Sequence, residues 1–282
     1  MKTTQHFVMY LIAISIAIAT LNTYAEGGYL SFGGGYGIST ASNTFGSSSN
    51  SSSEEIVKGS LGKGIQAQFT IGTELKSNVS IELGTSFLFG SGIHSEYSST
   101  SGQNTESSDA SATMIRFFPA VKINSSGEKS KLYARAGLAI GVAGNLELNN
   151  TSYDSYSAAT TIRTSKYTGG IAVGFTGSIG AEFKTGTRSC FFTELLFISQ
   201  SWAPSKGEMT VYSVNGKDRL AALSIADKQV EFENSINREN NFTTADPNSP
   251  SKQLKYYMPM SSAGISVGFR FSIAKAKIVA KS

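Results

Sequence analysis

The sequence predicts an all-β protein, and specifically a transmembrane, antiparallel, up-and-down β-barrel of eight strands. Three observations predict it. Apolar and polar residues alternate along eight segments, most segments are about ten residues or longer, and long and short connections alternate strictly between them. Strict alternation is typical of a strand with two different faces, and none of these segments has a helical period.

The chain begins with a segment typical of a secretory signal peptide. Lys2 precedes an apolar run over residues 7–21, and small residues follow, so cleavage is predicted after Ala25. The alternative is an uncleaved membrane anchor. The run is shorter than the ~20 apolar residues that a spanning helix needs, which favours the signal peptide.

Composition limits the function classes. Lys2 is the only charged residue of the predicted signal peptide, so the mature chain has 23 basic and 20 acidic residues. A net charge of about +3 is too small to favour nucleic acid as a partner. Because Cys190 is the only cysteine, no intramolecular disulfide can stabilise the exported chain.

The eight segments are each long enough to cross an outer membrane. At ~3.3 Å per residue and a tilt near 40°, about ten residues cross an apolar band of ~25 Å. The predicted strands lie within residues 28–40, 64–75, 78–92, 113–123, 131–142, 169–183, 188–200 and 263–271.

The connections indicate how the strands are arranged. Those after Leu75, Ile123 and Phe183 are short, whereas residues 39–60, 92–111, 144–166 and 203–257 are long and rich in Ser, Asn, Thr and Gly. A barrel with short periplasmic turns and long external loops has this pattern. We therefore predict a barrel over residues 26–274 and a basic periplasmic tail over 275–282.

The last long connection allows two interpretations. It contains Asn215-Gly216, a strong signal for a two-residue hairpin turn. Two additional membrane strands would make ten. The flanking segment is too short and too polar to cross, which favours a hairpin standing in the outer loop. Residues 227–240 are polar and predict a short helix or disorder.

Glu82 lies in the middle of an alternating segment, on the face opposite Ile81 and Leu83. Side chains just fill an eight-stranded barrel, so the polar face must pack inside. Buried charges persist only when paired. The inward positions therefore predict a luminal ion-pair network of Glu82, Arg116, Arg135, Glu182, Arg188, Glu194 and Arg270. The alternative is that these charges act as a selectivity filter along a water-filled path.

Two features of the predicted outer face bear on the strands. Pro119 lies within a strand, where it removes a ladder hydrogen bond and predicts a bulge. Aromatic residues gather near strand ends, as interfacial girdles require, at Phe89, Phe183, Phe191, Trp202, Tyr256, Tyr257 and Phe271.

The signal peptide, the eight alternating segments and the final "GISVGFRF" resemble small bacterial outer-membrane β-barrels of the opacity-protein and outer-membrane-protein-A type. The resemblance is one of pattern and covers nearly all of the mature chain. It implies a Gram-negative outer membrane, contact with lipid and lipopolysaccharide, and recognition of Phe269 and Phe271 by the barrel-assembly machinery. In that family the chain usually ends on such an aromatic residue, whereas eleven residues follow Phe271 here.

The resemblance leaves the activity open. The leading hypothesis is a non-enzymatic surface protein with a plugged lumen, whose long loops contact host, phage or neighbouring cells, or serve envelope structure. The first alternative is a narrow passive pore. A lipid-modifying enzyme is the second, since His94 lies near Ser91, Ser95 and Glu96. No Cys or His cluster has metal-ligand spacing, and we predict no cofactor.

Overall fold

The computed structural model describes residues 27–40, 43–49, 53–76, 78–99, 104–236 and 246–273. The predicted Ala25 cleavage site and the 275–282 tail lie outside these ranges. The described chain is almost entirely β, which confirms the all-β prediction. Its strands are β1 (Gly27–Ser39), β2 (Asn43–Ser49), β3 (Glu54–Gly59), β4 (Gly64–Lys76), β5 (Val79–Gly90), β6 (Ile93–Ser98), β7 (Asn104–Asn124), β8 (Ser130–Asp154), β9 (Ala159–Thr168), β10 (Ala172–Lys184), β11 (Ser189–Trp202), β12 (Lys206–Val214), β13 (Lys217–Asp218), β14 (Gln229–Glu233), β15 (Ser251–Leu254), β16 (Met258–Pro259) and β17 (Ser262–Ile273).

The eight predicted segments form one ring of antiparallel strands. Each pairs with the next in the order β1, β4, β5, β7, β8, β10, β11 and β17, and β17 pairs back onto β1. The short connections after β4, β7 and β10 all lie at one end of this ring. Such closure leaves none of the eight strands with an unpaired edge within the ring.

The long connections lie at the other end and are mostly strand, where the sequence suggested irregular loops. β7 and β8 continue past the ring and remain paired up to Asn104 and Asp154. β6 pairs with the extended part of β7, and β9 with that of β8. β12, β14 and β15 continue the pairing beyond β9. We call this extension the outer sheet.

The hairpin predicted in the last connection belongs to the outer sheet. Asn215 and Gly216 both have positive φ, 51° and 74°, as a two-residue turn between β12 and β13 requires. β12 pairs with β9 and β14 and not with a ring strand. A 3-10 turn (Leu220–Ala222) and a one-turn α-helix (Ile225–Lys228) follow, the latter started by a capping box of Ser224 and Asp227.

The bulge that Pro119 predicted is absent, because the register of β7 on β8 is the same on both sides of that proline. The register shifts instead between Thr113 and Ile115 of β7, opposite Ala143 of β8. Ala143 has a φ of 51°, which costs a non-glycine residue roughly 1 kcal/mol. This bulge changes the inward-facing positions of β8 from odd-numbered to even-numbered residues. Tyr133 and Arg135 therefore point inside before the bulge, and Leu146 points inside after it.

The outer surface of the ring is apolar on every side. Large aliphatic and aromatic side chains remain substantially exposed there on all eight strands, among them Phe32, Ile65, Phe87, Val121, Leu138, Phe175, Ile179, Leu195 and Ile265. We call this surface the apolar belt. No helix in the described part of the chain is both long enough and apolar enough to span a membrane.

Three predicted girdle residues do not belong to this surface. Tyr256 and Tyr257 lie between β15 and β16 and not on a ring strand, and Tyr256 packs edge to face on Phe232 of β14. Trp202 is fully buried, and its Nε1 donates a hydrogen bond to the carbonyl oxygen of Gly169 at 2.9 Å. Its ring packs over Gly144, where a Cβ would lie 2.7 Å from it. Trp202 closes the interior of the ring and does not lie at a membrane–water interface.

Candidate functional site

The interior of the ring contains a continuous chain of ion pairs, which we call the interior network. Arg270 contacts Glu74 and Glu182, and Lys122 also contacts Glu182. Lys122 then lies 4.0 Å from Glu82. The remaining links are Glu82 to Arg135, with Nε 3.3 Å from Oε2, and Arg135 to Glu194.

Strand alternation positions these groups. Alternate residues of a strand face the same side of the sheet, and each network residue occupies an inward-facing position of its own strand. All of them therefore project into the same interior, from β4, β5, β7, β8, β10, β11 and β17. Apart from Glu74, which is 28% exposed at the edge, every side chain of the network is at most 12% exposed. Charges removed from water to this degree need opposite charges or hydrogen bonds to offset the cost of desolvation.

Two tyrosines complete the network. Tyr29 donates a hydrogen bond to Glu82 at 2.6 Å, and Tyr133 donates one to Glu194 at 2.8 Å. Lys122 lies 4.2 Å from the centre of the Tyr133 ring, a favourable cation–π distance. Tyr29 fits because Gly72 faces it, and a Cβ at that glycine would collide with the phenol ring.

Arg116 is fully buried but lies outside the interior network. Its Nε donates to Gln200 Oε1 and its Nη2 to the Met260 carbonyl oxygen, each at 3.0 Å. No carboxylate of the described residues lies within ion-pair distance of it. The network holds four carboxylates and three cations, so the charge of Arg116 balances the interior as a whole.

An apolar plug closes the interior above Arg116. Residues 60–63 and 258–261 fold into the mouth of the ring, where Leu61 N donates to the Pro259 carbonyl at 3.0 Å and Met260 N to that of Gln200 at 2.8 Å. The Ser60 hydroxyl donates to the Ser261 carbonyl oxygen at 2.7 Å. The buried apolar side chains of the plug are Leu61, Leu88, Ala110, Ala112, Met114, Leu146, Ala172, Trp202, Met258 and Met260.

The space beside the interior network, below the plug, is nearly filled. The cavity beside the network, bounded by Gln68, Thr70, Glu82 and Arg135 among others, measures about 10 Å³. A single water molecule needs roughly 10–15 Å³. Side chains, not solvent, occupy the centre of the ring.

The structure brings together five of the seven predicted network residues: Glu82, Arg135, Glu182, Glu194 and Arg270. It does not place Arg116 or Arg188 in the network. Arg188 is exposed, because it lies in the turn before β11, beyond the end of the ring. The interpretation missed Glu74, Lys122, Tyr29 and Tyr133. Each has the inward parity of its strand, so strict application of the alternation would have found all four.

His94 lies on the outer sheet, and its two ring nitrogens face carboxylates. Nδ1 is 2.8 Å from Asp109 Oδ1 and Nε2 is 3.1 Å from Glu96 Oε1. These hydrogen bonds, that to Asp109 above all, raise the pKa of His94 above its ordinary value. A histidine held in this way favours the imidazolium form, whereas a general base needs a free neutral nitrogen directed at its serine.

Phe269 and Phe271, the predicted assembly signal, lie on the outward face of β17. Both are about half exposed, and their rings stack with centroids 6.4 Å apart. Phe269 also meets Phe191 of β11 edge to face. They belong to the apolar belt, and their recognition by assembly machinery stays a prediction.

Comparison with known proteins provides little further information. No family model matches the chain, and no curated protein matches it. Among solved structures, the crystal structure of Acinetobacter baumannii CarO2 is similar at 12% identity, with 87% of this chain and 99% of that chain covered and a TM-score of 0.30. A likeness this weak has no weight for fold or function.

The interior network predicts an order of sensitivity to truncation. Glu182→Ala should lower the free energy of unfolding by about 3 kcal/mol, because Lys122 would keep only Glu82 at 4.0 Å. Glu82→Ala should cost about 1–2 kcal/mol, since Arg135 retains Glu194. The exposed Glu55→Ala should change it by less than about 0.5 kcal/mol. Reversible urea unfolding in lipid vesicles measures all three, and equal costs would contradict the network.

Proposed function

We propose that this protein is a bacterial outer-membrane β-barrel with a closed interior, which acts through its outer sheet in surface contact or envelope structure. The observation that supports the membrane location best is the apolar belt. A water-soluble protein rarely leaves a contiguous apolar surface larger than a few hundred Å². Here apolar side chains cover the outside of the ring while the charged groups lie inside, the inverse of a soluble protein.

The height of the belt fits an outer membrane. On β10, outward apolar side chains run from Val173 to Phe183. At ~3.3 Å per residue and a tilt near 40°, this run rises roughly 25 Å, the height of the apolar band of outer-membrane barrels. The outer sheet begins beyond the belt, so in this arrangement it stands outside the bilayer.

A closed interior favours a surface protein over a pore. The network occupies the middle of the ring and the plug occupies its outer mouth, an arrangement that favours a lumen closed to solutes. The outer sheet, in contrast, presents an aromatic tip where β8 turns into β9. Tyr156 is 82% exposed, and Asp154 holds the turn by accepting hydrogen bonds from Tyr156 N at 3.0 Å and the Ser157 hydroxyl at 2.8 Å.

Exposed tyrosines are typical contact residues at protein interfaces. Tyr153, at the end of β8, is 40% exposed beside the same turn. We therefore place the contact function at this tip, with a neighbouring cell surface as the counterpart.

The membrane location predicts a difference between two equal substitutions. Ile179→Arg would place a charge in the middle of the apolar belt and should cost about 2–4 kcal/mol in lipid vesicles. Ile162→Arg, at an exposed position of the outer sheet, should cost less than about 0.5 kcal/mol. Reversible unfolding of both variants in vesicles measures the difference. If Ile179→Arg were as harmless as Ile162→Arg, the belt would not face lipid.

The closed interior predicts that the purified protein does not conduct. In planar bilayers of known protein content, we expect no reproducible single-channel steps, because the network and plug leave no continuous water path. A porin of known conductance, reconstituted in the same way, provides the positive control. Steady steps that scale with the amount of protein would establish the pore.

The contact function predicts that the double variant Tyr153→Ser/Tyr156→Ser reduces cell–cell aggregation of expressing bacteria. The variant removes the aromatic tip but leaves the pairing of β8 with β9. Tyr36→Ser, which removes a tyrosine from the apolar belt, is the matched control and should aggregate as the parent does. Sedimentation of cells with equal surface levels of protein gives the measurement, and unchanged aggregation in the double variant would contradict this role.

A further inference from the structure

The end of the ring opposite the outer sheet contains a cavity of about 320 Å³ that the interior network does not fill. It lies between the turn before β8, the turn before β11 and the end of β17. Five cationic side chains line it: Lys129, Lys131, Lys184, Arg188 and Arg270. We call this cavity the basic mouth.

The cations of the basic mouth exceed its carboxylates. Glu74, Glu128 and Glu182 also line the cavity. Two of these are already paired with cations, since Arg270 contacts both Glu74 and Glu182 and Lys122 also contacts Glu182. Glu128, on the turn before β8, is exposed and forms no ion pair with any residue that the structure describes.

Four of the cations have no acidic partner in the described part of the chain. No carboxylate there lies within 4.0 Å of Lys129, Lys131, Lys184 or Arg188. Positively charged side chains that face the same cavity repel one another, and a bound anion offsets that repulsion.

Arg270 gives the mouth a fixed positive charge at its floor. Its side chain is only 9% exposed, and the network holds both terminal nitrogens. Its Nε is buried, with no hydrogen-bond partner among the described residues. Contacts to a bound anion therefore come from the four cations that line the cavity without an acidic partner, and the charge of Arg270 adds to their attraction.

We propose that the basic mouth is a binding site for a soluble phosphate group, as in inorganic phosphate or a phosphate monoester. A planar carboxylate offers two oxygens, whereas a phosphate offers three or four in a tetrahedral array, which suits cations arriving from three separate segments. The mouth opens inside the ring of strands, and the filled interior leaves no room for lipid chains. The proposal is independent of the outer sheet and of its contact function.

Binding is tested with the full mature chain in non-ionic micelles at low salt, titrated with inorganic phosphate by calorimetry. Lys131→Gln/Arg188→Gln should weaken binding at least about tenfold, because it removes two charge-assisted contacts. The matched control Lys58→Gln/Lys217→Gln removes the same charge from the outer end and should bind as the parent does.

Cys190 supplies a reporter of position, because the only cysteine of the chain lines the same cavity. Phosphate should slow its labelling by a neutral maleimide in the parent and not in the Lys131→Gln/Arg188→Gln variant. Gel mobility of unheated samples shows whether that variant folds. If it does not fold, Lys129→Gln/Lys184→Gln takes its place, because both of these side chains are exposed and their replacement should not disturb folding.

Four results would overturn the proposal. The first is no measurable phosphate binding by the parent. The second is equal weakening of binding in the mouth and control variants. The third is a rate of Cys190 labelling that phosphate does not change. The fourth is binding of anionic phospholipid added to the micelles without binding of free phosphate, which would make the mouth a lipid headgroup contact.

Discussion

Pairing of charge inside the ring is the constraint on which the rest of the molecule depends. Lys122, Arg135 and Arg270 are largely buried, and each touches a carboxylate. Those carboxylates come from two hairpins, β4–β5 and β10–β11, which are far apart in sequence. The interior network therefore connects strands that the backbone ladder alone would join only to their neighbours, and it requires that all of them keep their register.

The same requirement accounts for the apolar outside of the ring. Since successive residues of a strand face opposite sides, placing Glu82 or Glu194 inside directs Ile81 or Leu195 outward. A one-residue slip would put charges on the apolar belt and isoleucine into the network. The same alternation therefore produces the polar inner face and the apolar outer face. In a lipid environment the outer face contacts acyl chains while the inner charges pair with one another.

The two ends of the ring differ because their connections differ. At one end short turns leave the basic mouth open, with Arg188 and Lys131 at its wall. At the other, the bulge at Ala143 reverses the inward parity of β8, so that Leu146 enters the plug and the strand continues into the outer sheet. The ring separates a charged, open end from a closed end that carries an ordered surface.

The sequence by itself determined the strands and their faces, because a period of two is a local property and each inward residue can be read without its partner. Lys122 and Tyr29, which the interpretation missed, follow from the same alternation, because both have the inward parity of their strands. Tertiary structure alone decided the pairs, since the contact of Arg135 with Glu82 and Glu194 depends on which strands are neighbours and at what register. Tertiary structure also decided that Trp202 is buried and that Arg116 lies outside the interior network, because segments distant in sequence fold over both residues. The outer sheet was hidden for a related reason: its Ser- and Asn-rich strands have no lipid-facing side and lack the apolar alternation that marks the ring.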